Sequence, residues 1–241
     1  MSFVEQEDVF RVVENLLIKV FKKFSNKKFL YEKFPRIPFK EAMLKYATDK
    51  PDLRNPLQIN DLTKVFERED VKFDIFKKLV KSGSVVRSIV TKNTKDKPRS
   101  FFDNIDKWAK TEGASGMAYF TFEKDKNLTA KGPVGKFFSS EALREIMEIT
   151  GAQIGDSIFF SCDKETDVLQ LMSLARDKIA EELNLIDPNT FAFCWIVDYP
   201  MYEIDKISGK IKFSHNPFSM PQGEEKGIDL ENPFNIKAYQ Y

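Results

Sequence analysis

The chain of 241 residues is poor in the side chains that most often bind metals. It has one histidine and two cysteines. A metal site usually needs three or four ligands at short spacings, and Cys162 and Cys194 are not paired in that way. Both cysteines lie in apolar runs, so we expect buried thiols and not a disulfide. The sequence therefore predicts no metal site.

Long apolar runs and charge imbalance are missing as well. The sequence has no apolar run of about 18 residues and no signal-peptide pattern, so we expect a cytoplasmic protein without a membrane span. Lys and Arg number 38 against 37 Asp and Glu, which gives no overall attraction to nucleic acid. The densest basic stretch, residues 87–99, is either a solvated turn or a contact for RNA phosphates. The sequence leaves both interpretations open.

Common catalytic motifs are also missing. Residues 132–136 (GPVGK) superficially resemble a phosphate-binding loop, but the four-residue gap and the Ser or Thr after the lysine are absent. No G-x-G-x-x-G follows a predicted strand, and no nucleophile elbow accompanies the single histidine. The residues alone therefore identify no catalytic group.

Phenylalanine is abundant, with 23 copies, and this supplies a large core. Apolar spacing and capping residues predict helices over 7–24, 38–46, 61–66 and 168–183, a helix ending at Gly83, and helices between Ser100 and Gly113 and between Ser139 or Ser140 and Gly151. Alternating or β-branched runs predict strands over 84–91, 117–123, 157–162, 191–197, 201–204 and 210–214. The order over about residues 84–162 is typical of a compact α+β unit.

His215 ends the last predicted strand, just before Pro217. Loops at strand ends often carry binding groups, and a histidine can donate a hydrogen bond to a carboxylate in either protonation state. A structural role remains the alternative. The charge-dense segment 49–54 is predicted to be a loop ordered by its own ion pairs.

Longer motifs resemble the bacterial-type aspartyl-tRNA synthetases, which are class II enzymes. Residues 38–46 (PFKEAMLKY) and 48–54 (TDKPDLR) are similar to the family's F-x-E-A-M-x-x-Y-G-S-D-K-P-D-L-R. Residues 195–203 (WIVDYPMYE) and 215–221 (HNPFSMP) are similar to W-V-V-D-F-P-M-F-E and H-H-P-F-T-x-P. Residues 1–4 (MSFV) resemble the end of motif 2. Residues 113–119 (GASGMAY) and 155–160 (GDSIFF) resemble the family's insertion domain, called GAD.

The resemblance implies a fold and a domain plan. The fold is α+β, a partial class II antiparallel sheet with helices, interrupted by a compact α+β GAD insertion domain. Residues 1–66 are then the part of the catalytic domain that follows motif 2, and residues 184–241 the part that precedes motif 3. Residues 67–183 are the insertion domain.

The resemblance also implies an activity, an aspartate–tRNA ligase that activates L-aspartate with ATP and transfers it to tRNA. The implied whole enzyme uses ATP with Mg²⁺, is a homodimer and contacts no membrane. His215 corresponds to a histidine that helps to bind the substrate aspartate. Asn216 stands where the family has a second histidine, and since an amide carries no charge it is only a possible secondary ligand. No residue of this chain is assigned a catalytic role.

The resemblance places the motif 2 loop and motif 3, with their ATP-binding arginines, outside these 241 residues. We therefore expect the chain alone to be inactive and to bind no cofactor. The alternative is an RNA-binding or interaction module, because a subunit of the tRNA-dependent amidotransferase carries the same kind of insertion domain.

Overall fold

The computed structural model describes residues 4–205, 208–214, 216–223, 228–229 and 231–241. The chain folds as α+β, as predicted, and forms two compact units. The first unit consists of Met1–Met43, Asp49–Arg54 and Asp187–Tyr241, and the second of Leu44–Thr48 and Asn55–Ile186.

The helices are α1 (Gln6–Phe24), α2 (Phe39–Tyr46), α3 (Asp74–Lys81), α4 (Arg99–Thr111), α5 (Ser140–Thr150) and α6 (Glu165–Glu182). The strands are β1 (Lys28–Phe29), β2 (Arg36–Pro38), β3 (Ile59–Asp61), β4 (Val85–Thr91), β5 (Ala118–Lys124), β6 (Leu128–Lys131), β7 (Ser157–Asp163), β8 (Thr190–Phe191), β9 (Trp195–Val197), β10 (Tyr199–Pro200), β11 (Tyr202–Ile204), β12 (Ile211–Phe213) and β13 (Lys237–Ala238).

In the first unit, helix α1 packs through the apolar face that its periodicity predicts. Phe10 is buried, with its ring 4.5 Å from that of Trp195 and 4.9 Å from that of Tyr241. The Trp195 indole N–H also donates to Glu14 at 2.8 Å, so the buried indole edge has a partner. These contacts fix α1 against β9.

The strands of the first unit form pairs of two. β1 pairs with β8 and β2 with β9, both parallel, while β10–β13 and β11–β12 are antiparallel. The single strand predicted over 191–197 is wrong, because the chain changes partner from β1 to β2 and breaks at 192–194. Within the described residues these pairs form no continuous antiparallel sheet, in contrast to the sheet that the resemblance implies.

The second unit is built on a five-stranded antiparallel sheet in the order β3-β4-β7-β5-β6. Alternate residues of β7 face opposite cores, with Phe160 and Cys162 on the side of α5 and Phe159 on the side of α4 and α6. Helices therefore cover both faces, and this explains why β7 is apolar almost throughout.

Local signals at the helix ends are mostly confirmed. Ser139 caps α5 by accepting from the Ala142 N–H at 3.0 Å, and Gly151 ends it with φ +66°. Ser100 does not cap α4, because the cap residue is Pro98 and Ser100 already lies inside the helix. The predicted helix at 61–66 is a 3₁₀ turn, Thr63–Glu67, whose first amide bonds to the Asp61 carboxylate.

Strand β3 brings the segment before residue 66 into the second unit. It pairs with β4, so the compact unit begins at Asn55, earlier than the predicted boundary after residue 66. The identification of the units as catalytic and insertion domains stays a prediction.

Both cysteines are free, with Cys162 buried and Cys194 half-buried. In the part of the chain that the structure describes, no helix is long and apolar enough to cross a membrane. In that same part, no three His, Cys, Asp or Glu side chains converge as a metal site would require.

Candidate functional site

A polar cluster in the first unit lies where the backbone turns between β9 and β10. Asp198 joins the two strands with φ +59°, a left-handed conformation that side chains other than glycine seldom adopt. Its carboxylate accepts from the Lys237 ammonium at 2.9 Å and from the Gln222 amide at 3.2 Å. We call Asp198, Gln222 and Lys237 the Asp198 cluster.

The Asp198 cluster fastens residues 220–223 to the C-terminal strand β13. The Gln222 side chain donates to the Ala238 carbonyl at 3.0 Å, and its backbone N–H donates to the Lys237 carbonyl at 2.8 Å. The Tyr239 N–H donates to Met220 at 2.8 Å, and Pro221 bridges to Ala238. The segment therefore has a defined course, although its composition predicts a loop.

The turn after His215 is organised by Asn216. The Asn216 side-chain oxygen accepts from the Phe218 N–H at 2.9 Å, and its carbonyl accepts from the Ser219 N–H at 3.1 Å. This is an Asx turn, a conformation that asparagine favours. The described geometry thus gives Asn216 a structural role, and its role as a secondary ligand stays a prediction.

His215 itself lies outside the described residues. On its N-terminal side, the Ser214 N–H donates to the Met201 carbonyl at 3.0 Å, just after the β11–β12 hairpin. On its C-terminal side lies the Asn216 turn. The assignment of His215 to substrate aspartate therefore stays a prediction.

The segment 49–54 is ordered by an ion pair, as predicted. Arg54 donates to both carboxylate oxygens of Asp52, with N–O distances of 2.7–3.1 Å. This hydrogen bonding raises the pKa of Arg54. The pairing is bidentate, which fixes the guanidinium plane as well as its distance.

Asp49 connects this segment to β10. Burial raises the pKa of the Tyr199 hydroxyl, and the charge and hydrogen bond of the Asp49 carboxylate raise it further. The Tyr199 ring also lies 4.9 Å from that of Phe39, at the start of α2. The motif segments 38–46, 49–54 and 195–203, distant in sequence, therefore meet at Tyr199.

The Asp198 cluster does not follow from the sequence patterns. Asp198 lies within one of the family-like motifs, but the motif assigns it no role, and Gln222 and Lys237 stand out in no pattern. One usable signal exists, since a carboxylate between two apolar strand segments needs a buried or half-buried partner. The partners lie 24 and 39 residues further along the chain, and no local pattern identifies them.

Comparisons with known proteins agree with the motifs. The family model described as tRNA synthetases class II (D, K and N) matches residues 1–240. A curated relative from Pelagibacter ubique (strain HTCC1062), named Aspartate--tRNA(Asp/Asn) ligase, is 73% identical over 241 residues, which is 100% of this chain and 41% of the relative.

Relatives with the same printed name occur in other bacteria. The protein of Ehrlichia chaffeensis (strain Arkansas) is 50% identical over 241 residues, and that of Wolbachia pipientis wMel is 50% identical over 242 residues. Each match covers 100% of this chain and 40% of the relative. The chain thus spans about two fifths of the length of the curated relatives that it matches.

Proposed function

Since the chain belongs to the class II tRNA synthetases of the D, K and N group, we propose that it forms part of a bacterial-type aspartate–tRNA ligase. The observation that carries the proposal is the 73% identity, over the whole chain, to a relative with that name. Because the names of the relatives include both tRNA(Asp) and tRNA(Asn), we propose that both tRNAs are substrates.

In the proposed reaction the α-carboxylate of L-aspartate attacks the α-phosphate of ATP. Aspartyl-adenylate forms and pyrophosphate leaves. The terminal adenosine of the tRNA then takes the aspartyl group and releases AMP. In such chemistry the protein contributes mainly by positioning the reactants and stabilising charge.

His215 is the residue that we assign to the side-chain carboxylate of aspartate, with Asn216 as a possible second contact. The supporting geometry is in the flanks. The Asn216 turn and the Asp198 cluster hold residues 216–223 on β13, so the backbone beside His215 is tethered. We assign the Asp198 cluster a positioning role in the ligase.

ATP is the proposed co-substrate, and Mg²⁺ accompanies its phosphates. We assign no metal ligand in this chain, since no three acidic, histidine or cysteine side chains converge in the described residues. The chain covers only 41% of a relative, so we propose that turnover requires sequence beyond these 241 residues. A cytoplasmic homodimer is the proposed state of the whole ligase.

A chimera tests the proposed function. The matching 241 residues of the Pelagibacter ubique enzyme are replaced by this chain, and aspartylation of tRNA(Asp) and tRNA(Asn) is measured. We expect activity toward both tRNAs, and no aspartate-dependent pyrophosphate exchange by the 241-residue chain alone. A chimera that melts cooperatively but aspartylates neither tRNA would contradict the proposal.

The role of His215 is tested in the same chimera with His215→Ala. Loss of a hydrogen bond to a charged group costs about 1.5–3 kcal/mol, so the KM for aspartate should rise roughly 10- to 100-fold. The KM for ATP should change much less. Lys210→Ala, in the neighbouring β11–β12 hairpin, is the control variant. Equal increases in both KM values would remove the assignment.

A further inference from the structure

A cavity of about 480 Å³ lies in the second unit, away from the residues discussed so far. Its volume falls within the range of small-molecule sites. Three chain segments build its wall, namely the connection between β4 and α4, strand β5, and the end of β6 with the turn that follows. The cavity is thus held by the sheet and is not a gap in a single loop.

The basic stretch at 87–99 divides into two groups in the structure. Arg87 is buried and paired with Asp61 at 2.6 Å, and Lys92 donates to Asp156 at 2.9 Å, so both have structural roles. Lys95, Lys97 and Arg99 instead line the cavity. The interpretation of the stretch as a solvated turn is therefore incomplete.

Lys131 adds a fourth cation from the opposite segment. Carboxylates partly offset the four charges, since Arg99 pairs with Asp103 at 3.2 Å and Lys131 with Glu123 at 3.6 Å. Lys95 and Lys97 have neither an ion pair nor a side-chain hydrogen bond among the described residues, although the Lys97 ammonium lies 5.8 Å from the Phe101 ring centre. The lining groups therefore carry a net positive charge.

The floor of the cavity is rigid and partly aromatic. The rings of Phe102 and Tyr119 stack at 4.7 Å with an interplanar angle of 15°, and the Tyr119 hydroxyl donates to Asp103 at 2.9 Å. Gly132 closes one side with φ +144°, where a Cβ atom would lie 3.0 Å from the backbone of Phe120. The backbone that carries Lys131 is therefore packed closely against β5.

The N-terminus of α4 contributes in the same direction. Its cap residue is Pro98, and no side chain caps the helix, so the first-turn amides of this 13-residue helix lie beside Arg99. The helix dipole adds partial positive charge at this end. It supplements the four cations, which carry the argument.

We infer that this cavity binds a phosphate-bearing ligand of nucleotide size. Lysine and arginine side chains from two sides meet the phosphates, and the apolar floor accommodates the sugar or base. The ligand is either a free nucleotide or a nucleotide within an RNA strand. The chemistry of recognition is the same in both cases.

The test is titration calorimetry of the 241-residue chain with two probes, ADP and a five-nucleotide oligouridylate. In Lys95→Gln/Lys97→Gln, affinity should fall at least tenfold. For the oligonucleotide, the slope of log affinity against log salt should fall by roughly 0.7 for each phosphate that is no longer neutralised. The matched control is Lys78→Gln/Lys81→Gln, two exposed lysines of α3, for which we expect less than a twofold change.

Lys131→Gln separates a cavity from a linear basic segment. It should weaken binding as well, while Lys126→Gln, in the turn between β5 and β6, should not. Binding of both probes identifies a free-nucleotide site, and binding of the oligonucleotide alone identifies an RNA site. Equal losses in the lining and control variants, or no binding of either probe at about 1 mM, would overturn the inference. Circular dichroism establishes that each variant is folded.

Discussion

Arg176 is a buried cation whose partners are mostly backbone carbonyls. It donates to Leu57 at 2.7 Å and to Asn55 at 2.8 Å, and its guanidinium lies 4.9 Å from the Tyr46 ring centre. Asn55 in turn donates to the Arg176 carbonyl at 3.0 Å. These bonds hold the first residues of the second unit on α6.

Removing the Arg176 guanidinium should be costly. Arg176→Met keeps the length of the side chain but leaves two buried carbonyls without donors, so we expect the free energy of unfolding to fall by about 3 kcal/mol. Arg144→Met, which breaks the exposed pair with Glu141, should cost less than about 1 kcal/mol. Urea denaturation measures both, and similar losses in the two variants would show that Arg176 has no special role.

Among the elements, the start of α5 and the loop before α3 are joined by one ion-pair network. Arg68 forms a bidentate pair with Asp70 at 2.8 Å and also donates to Glu145. Ser139, the cap of α5, donates to Asp70 as well. The Arg68 pairing, helped by the Ser139 hydroxyl, holds the pKa of Asp70 well below its usual range.

The lowered pKa makes this network sensitive to acid. Its contribution is complete above the unfolded pKa, about 4, and is lost as the pH falls toward the folded value. Asp70→Asn should therefore lower the urea midpoint at about pH 7, and the difference from the wild type should shrink at about pH 3. A difference that stays constant with pH would refute this. Asp125→Asn, in an exposed turn, is the control.

The elements also show which features sequence patterns can predict. Helices α1, α5 and α6 lie within about three residues of their predicted bounds because apolar periodicity and caps are local signals. Strands β1, β2, β10 and β13 are not predicted, since two or three residues are too few to show alternation. Their partners lie far along the chain, as when β1 pairs with β8.

The same limit applies to the candidate site. The resemblance locates His215 and Asn216 in the sequence, and it identifies segments that meet at Tyr199. The Asp198 cluster and the phosphate cavity each combine side chains from separate segments, so they emerge only when the sheet registers are known.

At the scale of the whole molecule, the two units differ in how they are held together. The second has a five-stranded sheet with a core on each face, whereas the described strands of the first pair only two by two. Local opening free energy follows buried apolar contacts and protected hydrogen bonds. We therefore expect the first unit to open at lower urea than the second.

The two thiols report on the two units. Burial, with a smaller contribution from Asp163, raises the pKa of Cys162 to about 11, and burial also raises the pKa of Cys194. Little thiolate is present at about pH 8, so Ellman's reagent reacts chiefly after opening. Cys194 should become reactive at lower urea than Cys162, with Cys194→Ser and Cys162→Ala assigning the two phases. Identical urea dependence of the two thiols would contradict the expectation.

The way the second unit closes on itself bears on how it can be handled genetically. Pro56 and Leu57, at its beginning, line one cavity with Leu183 and Leu185, at its end. Together with the bonds between Asn55 and Arg176, this places the start and the end of the unit side by side. A domain whose ends adjoin can be excised, permuted or exchanged through a short tether. Residues 55–186 are therefore a portable cassette, which can be grafted between homologues as one piece.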